Sequence, residues 1–216
     1  MGALIMTHSD DLGLVLPPSL APPNQVVIVP ISKTEEDLNA ITEVANTIMG
    51  DLRSKNMTVK FDNRTTHRPG GAKFAQHELQ GVPLRIAIGA RDLANGTVEI
   101  ARRDTLTKQV VALSDLTEII EGLLKEMQDG LFKKALDFRD SHITEVNSFE
   151  EFKNILENKT GFISAHWDGT IETEDKIKEI TKATIRCIPL EFKEEDGVCV
   201  YSGKPSKGRV LFAKAY

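Results

Sequence analysis

"VVIVPISKTEEDLNAITEVANTIMGDLRSKNMTVKFDN", residues 26–63, reads as strand, helix, strand, and that reading decides the fold. "VVIVPI" (26–31) is a short, continuous, β-branched run, the pattern of a strand buried on both faces. Thr34 stands where an N-cap belongs, three residues before Asp37. Leu38, Ile41, Val44, Ala45, Ile48 and Leu52 then recur at helical spacing. "MTVKFDN" (57–63) is the next strand.

Downstream the pattern continues. "DNRTTHRPGGA" is a polar loop, and "AKFAQHELQG" (72–81) is a short helix closed by Gly81. "PLRIAIG" (83–89) is a strand and "ARDLANG" a turn. "TVEIARR" (97–103) and "KQVVAL" (108–113) form a meander, and 114–142 is a long amphipathic helix. The order β-α-β-α-β followed by a meander predicts an α/β domain, a mixed sheet with flanking helices, over 26–142. Residues 143–216 predict a small α+β domain. It has a helix at 148–158 capped by Ser148, a strand "GFISAHW", a helix "TEDKIKEITKA", and strands in "TIRCIPLEF", "GVCVYS" and "GRVLFAKA". Its expected core is Trp167, Ile177, Ile188, Phe192, Val198, Val200, Val210 and Phe212. Upstream, "GALIM" reads as a strand, and "PPSLAPPNQ" (17–25) as a stiff extended linker.

The composition of the 216 residues, 40% apolar and 27% charged, is that of a globular protein. No apolar run nears the roughly 18 residues of a membrane span, and no basic segment leads into an apolar signal core. Cys187 and Cys199 are too few for a disulfide framework, which points to a reducing cytoplasm. The net charge is −5, but it is uneven. Residues 53–109 hold eleven Lys and Arg against five Asp and Glu, and acidic segments flank them. That distribution fits a local polyanion contact.

"RPGGAKF" (68–74) gathers Arg68, Lys73 and glycine amides, with Arg64 just before. The set suits a phosphate or a base edge, although such loops are more often plain turns, and it fits neither common nucleotide-loop pattern. "HSDD" (8–11) is a strand end and turn rather than a metal site. Arg85 lies within a strand and reads as structural. His166, Asp168 and Cys187 invite a thiol-hydrolase reading, yet Cys187 in "TIRCIPLEF" reads as a buried strand residue.

"HSDDLGLVLPPSLAPPNQVVIVPI", "RPGGAKFAQHELQGVPLRIAIGARDLANGTVEIARRDT" and "ATIRCIPLEF…GVCVYSGKPS…GRVLFAKAY" resemble prolyl-tRNA synthetase of the eukaryote/archaeal-like type, a class II ligase family. The resemblance covers essentially the whole chain. It implies that residues 1–25 are a catalytic-domain remnant and linker. Residues 26–142 would be the anticodon-binding domain, and 143–216 the C-terminal domain. The catalytic motifs would lie outside this chain, which would then form no prolyl-adenylate; ATP and Mg would serve the full-length, homodimeric, cytoplasmic enzyme. The implied partners are the proline tRNA anticodon and the catalytic domain of the same polypeptide, with no membrane.

The family reads two anticodon guanines. The implied donors are Arg64, Arg68, Lys73 and Arg91, and the implied acceptors are Asp62 and Glu78. Where the family usually has an aromatic before "KF", this chain has Ala72. The Tyr216 carboxylate would reach the catalytic domain. Family members often carry four zinc thiolates at positions matching Asp168, Thr173, Cys199 and Ser202. Only Cys199 could be a thiolate, so zinc is expected to be absent. The readings set against this are a stand-alone tRNA-binding accessory protein and a small α/β enzyme using Cys187 or Cys199 with a histidine.

Overall fold

The computed structural model describes residues 2–20, 24–64, 71–190 and 194–214. They form two compact units, Met1–Ala135 and Leu136–Tyr216. The first is built on a five-stranded mixed sheet. β3 (Val26–Ile31) lies between β4 (Val59–Phe61) and β5 (Leu84–Gly89), parallel to both. β6 (Thr97–Arg102) and β7 (Lys108–Ala112) then add as antiparallel strands beside β5.

α2 (Glu35–Ser54) begins where the Thr34 hydroxyl accepts the Asp37 N–H at 3.1 Å. Three acidic residues fill its first turn, where the helix dipole favours them. Its buried stripe is Ile41, Ala45, Ile48 and Leu52. α3 (Gly71–Leu79) precedes β5. α5 (Leu116–Ser141) turns Leu116, Ile120, Leu124 and Met127 inward. These stripes pack with Val26, Ile28, Leu84, Ile86, Ile88, Val98 and Ile100 of the sheet. Burial of each such side chain contributes roughly 1.5–3 kcal/mol.

Two local expectations are corrected. Residues 2–7 form a helix, α1 (Gly2–Thr7), and not a strand. None of its described residues is buried, so no sheet neighbour holds "GALIM" extended. The strand character moves to a hairpin, β1 (Ser9–Asp10) and β2 (Gly13–Leu14). "ARDLAN" is a short helix, α4 (Ala90–Asn95), because the Asp92 carboxylate accepts the Gly89 N–H at 2.8 Å and Gly96 ends it at φ 64°.

The second unit has strand order β10-β13-β9-β8, with β8 (Ile143–Glu145), β9 (Phe162–His166), β10 (Ala183–Cys187) and β13 (Arg209–Lys214). β11 (Gly197–Val198) and β12 (Pro205–Ser206) close a small hairpin. α6 (Phe149–Asn158) is capped by Ser148, and α7 (Ile171–Thr181) by Thr170. Phe152 of α6 meets Phe212 edge to face at 5.2 Å, in a core with Val146, Ile163, Ile177, Val200 and Val210. Trp167 packs at its edge. Ile188 and Val198, expected inside, are 56% and 58% exposed. Ile188 lies past the end of β10, and β11 pairs only with β12, so nothing in the main sheet covers either side chain. Phe192 lies outside the described residues.

Candidate nucleic-acid interface

Asp62 is the first residue beyond β4, and its N–H continues the parallel ladder to the Ile28 carbonyl at 2.8 Å. Its carboxylate is buried, so it must be paired. Arg64 supplies a two-pronged contact, Nε to Oδ1 at 2.7 Å and Nη2 to Oδ2 at 2.6 Å. His77 Nε2 lies 2.8 Å from Oδ2. Lys73 Nζ donates to the Asp62 carbonyl oxygen at 3.1 Å. Lys73 and His77 are four residues apart on α3 and share its inward face.

The Arg64 guanidinium, with help from His77, holds the Asp62 carboxyl far below the usual carboxylate range against the opposing effect of burial. Burial pulls the Lys73 ammonium down. Beside an ionised Asp62, His77 Nε2 donates its N–H to the carboxylate, and Nδ1 points away from it. That Nδ1 is buried and has no hydrogen-bond partner among the described residues.

The far side of His77 faces a small pocket lined also by Glu78, Val82, Arg85, Ala101, Arg102 and Arg103. It has room for about one water molecule, so an edge of a ligand could enter and a whole ring could not. Arg85 projects from β5 and is 5% exposed. Its guanidinium carbon sits 3.4 Å from the centroid of the Phe74 ring, a cation–π contact. Glu99 is its nearest carboxylate, at 3.8 Å. Arg85 Nε and Nη1 make no hydrogen bond among the described residues. Burial lowers the Arg85 pKa, while Glu99 and Glu78 act in the opposite sense. The other two arginines are neutralised. Arg102 pairs with Asp104 and Glu126, and Arg103 pairs with Asp10. The pocket therefore brings the Glu78 side chain and His77 Nδ1 together with two guanidinium nitrogens of Arg85 that make no hydrogen bond among the described residues.

Of the residues singled out from the sequence, Asp62, Arg64 and Lys73 come together as one internal cluster. Glu78 is half-buried and lines the pocket. Arg91 is exposed on α4. Arg68 lies outside the described residues, as does Tyr216. Sequence reasoning passed over His77, Phe74 and Arg103 and set Arg85 aside as structural. Only Arg85 carried a signal: it is a charge inside "LRIAIG", a strand otherwise wholly apolar and wholly buried.

In the second unit, Asp168 is the centre of another cluster. Its Oδ1 accepts Thr170 Oγ1 at 2.8 Å and Thr170 N at 3.1 Å. Its Oδ2 accepts Thr173 Oγ1 at 2.8 Å and Ser202 Oγ at 2.6 Å. Burial would raise the Asp168 pKa, but the hydrogen bonds from Ser202, Thr170 and Thr173 overcome it and hold the pKa at about 2. Cys199 is buried in the same hairpin turn, where its carbonyl accepts the Gly203 N–H at 3.0 Å. These residues do not fit a zinc ion. The two hydroxyls spend their protons on Asp168, and a structural zinc site wants four strong nitrogen or sulfur donors.

Cys187 is exposed rather than buried, because it sits at the end of β10 beside a bulge in its pairing with β13. It lies on the far side of β13 from His166, two strand spacings across the sheet and two residues apart along β13, which puts the two backbones more than about 10 Å apart. His166 Nδ1 contacts Ser206 Oγ at 3.1 Å instead. Among the described residues Cys187 and His166 are not assembled as a pair, which removes the hydrolase reading built on them.

Two family models match the chain, "Anticodon binding domain" over residues 25–123 and "Prolyl-tRNA synthetase, C-terminal" over residues 149–216. The chain is 64% identical over all its 216 residues to proline--tRNA ligase of Christiangramia forsetii, covering 44% of that protein. It is 64% identical to the Flavobacterium psychrophilum protein of the same name, again covering 44%. The figures for a Porphyromonas gingivalis proline--tRNA ligase are 58% and 43%. The chain thus spans less than half the length of the curated relatives it matches.

Proposed function

Because this chain belongs to the prolyl-tRNA synthetase family, in its C-terminal portion, we propose that it selects and holds the anticodon of proline tRNA. The observation that carries the reading is the pocket in which Glu78 lies beside the unsatisfied donors of Arg85. The Watson–Crick edge of guanine presents an O6 acceptor next to N1–H and N2–H donors. Arg85 suits the first and the Glu78 carboxylate suits the others. Anticodon bases are single-stranded and can be splayed to offer that edge. Adenine reverses the pattern at position 6 and lacks the N2 amine.

Phe74 holds the guanidinium plane. The Asp62–Arg64–His77–Lys73 cluster fixes α3, on which Glu78 rides. Arg91 is exposed enough to meet a phosphate, and Arg68 is assigned the same role. In the longer protein the ligation of proline to tRNA would use ATP and Mg in a catalytic domain outside this chain, within a cytoplasmic homodimer. No helix among the described residues is long and apolar enough to cross a membrane.

The test is binding of the 216-residue chain to a proline tRNA transcript, and to transcripts with each anticodon guanine replaced by adenine. Wild type should prefer the native transcript. Glu78→Gln should lose roughly 1–3 kcal/mol of discrimination at one of the guanines. Equal affinity of the wild-type chain for all the transcripts would overturn the reading.

A further inference from the structure

Arg103 lies just past β6, with its side chain 1% exposed. Burying a guanidinium is costly unless its donors are satisfied, and those of Arg103 are. Nη1 and Nη2 donate to the two Asp10 carboxylate oxygens at 2.8 and 2.5 Å. Nε donates to the Glu78 carbonyl oxygen at 2.9 Å. One side chain therefore joins the β1–β2 hairpin to the last turn of α3, across 93 and 25 residues of sequence.

The backbone is seated just as closely. A Cβ at Gly13 would lie 2.6 Å from Leu79 Cα, and one at Gly81, where φ is +73°, would lie 2.7 Å from Leu14 Cβ. The hairpin and the end of α3 thus touch without room for a methyl group on either side. That last turn carries His77 and Glu78, which line the pocket, and Arg103 lines it too.

We propose that Arg103, clamped by Asp10, is a positioning residue for base selection, so that the β1–β2 hairpin is part of the frame of the pocket. The proposal rests on the reading of Glu78 as the guanine acceptor. Glu78 holds its carboxylate at the pocket only while its own backbone is fixed, and Arg103 fixes it through the Glu78 carbonyl. The Arg103 N–H also donates to the Pro83 carbonyl at 2.9 Å, which ties the segment entering β5, and hence Arg85, to the same anchor.

The experiment measures affinity of the 216-residue chain for the native proline tRNA transcript and for the adenine-substituted ones, together with melting temperature. The variants are Asp10→Asn, Asp10→Glu, Arg103→Lys and Glu78→Gln. Val210→Ala, in the core of the second unit, is the control for lost stability alone. Asp10→Asn and Arg103→Lys should each reduce guanine discrimination at least threefold. Asp10→Glu should restore part of it, and Val210→Ala should lower the melting temperature while leaving discrimination intact. If Glu78→Gln abolishes discrimination but Asp10→Asn and Arg103→Lys do not, the positioning role is wrong and the anticodon reading stands. If Val210→Ala reduces discrimination as much as they do, the effect is lost stability and the positioning role falls. If Glu78→Gln changes nothing, the pocket reading and this proposal fall together.

Discussion

Asp168 shows how one residue can do in this chain what its position alone would not suggest. Four hydrogen bonds converge on its carboxylate and join the start of α7 to the turn at Ser202, 34 residues away. Its pKa is lowered from 3.8 to about 2 in the folded chain. A carboxylate with a depressed folded pKa contributes stability that is present above about pH 4 and is lost as pH falls toward 2. Discounted for solvent screening, that contribution is about 1 kcal/mol. Asp168→Asn should therefore lower the stability of the second unit by about 1–2 kcal/mol at pH 7 and flatten its decline between pH 4 and pH 2. Acid unfolding followed by tryptophan fluorescence checks this, since the single Trp167 adjoins Asp168. An unchanged acid limb in the variant would show that the cluster is not linked to folding. Because the hydroxyls donate to Asp168, a chelator should leave the melting temperature unchanged. A drop on chelation would mean that a metal, and not the carboxylate, ties the hairpin down.

At the scale of elements, the turns are as constrained as the strands. Gly161 links α6 to β9 at φ +122°, and a Cβ there would come within 2.2 Å of the His142 carbonyl oxygen. The same carbonyl accepts the Phe162 N–H at 2.8 Å, so it cannot retreat without loosening the entry to the β8–β9 pairing. Gly161→Ala combines backbone strain with a backbone clash and should cost at least about 2 kcal/mol. A urea titration should show the loss as a lower midpoint, and an unchanged midpoint would mean that the loop has slack. Elements with a regular period were legible in the sequence. α2 revealed itself through Thr34 and the stripe Ile41, Ala45, Ile48 and Leu52, and β3 and β5 through unbroken apolar runs. α1 was not legible, because "GALIM" is as apolar as a strand, five residues are too few to show a period, and β-branched content alone does not choose between the two. Nor was the exposure of Cys187, which depends on a bulge in the pairing of β10.

At the scale of the whole molecule, the basic stretch 53–109 overstates the charge available to RNA. Arg64 is spent on Asp62, Arg102 on Asp104 and Glu126, and Arg103 on Asp10, while Lys73 and Arg85 are buried. Six of the eleven Lys and Arg of that stretch remain to meet phosphates, so the logarithm of affinity should fall with the logarithm of salt concentration at a slope no steeper than about −4. Binding of the transcript across 50–300 mM salt measures it, and a slope steeper than −4 would mean that a basic surface beyond this pocket holds the RNA. The sequence by itself determined the order of strands and helices and a mixed sheet in the first unit, because side-chain period and caps are local properties set over a few residues. It also placed Asp62, Arg64, Lys73 and Glu78 in one neighbourhood, because they lie within seventeen residues of each other. Only the tertiary structure decided their partners. Burial at the end of β4 paired Asp62 with Arg64, His77 and Lys73, and folding brought Arg85, His77 and Arg103 to the pocket that Glu78 lines. Asp10 reaches Arg103 across 93 residues, and no local pattern encodes a partner at that distance. The pairing offsets the cost of burying the Arg103 guanidinium, which the sheet carries inside and which would otherwise lose its solvation without return.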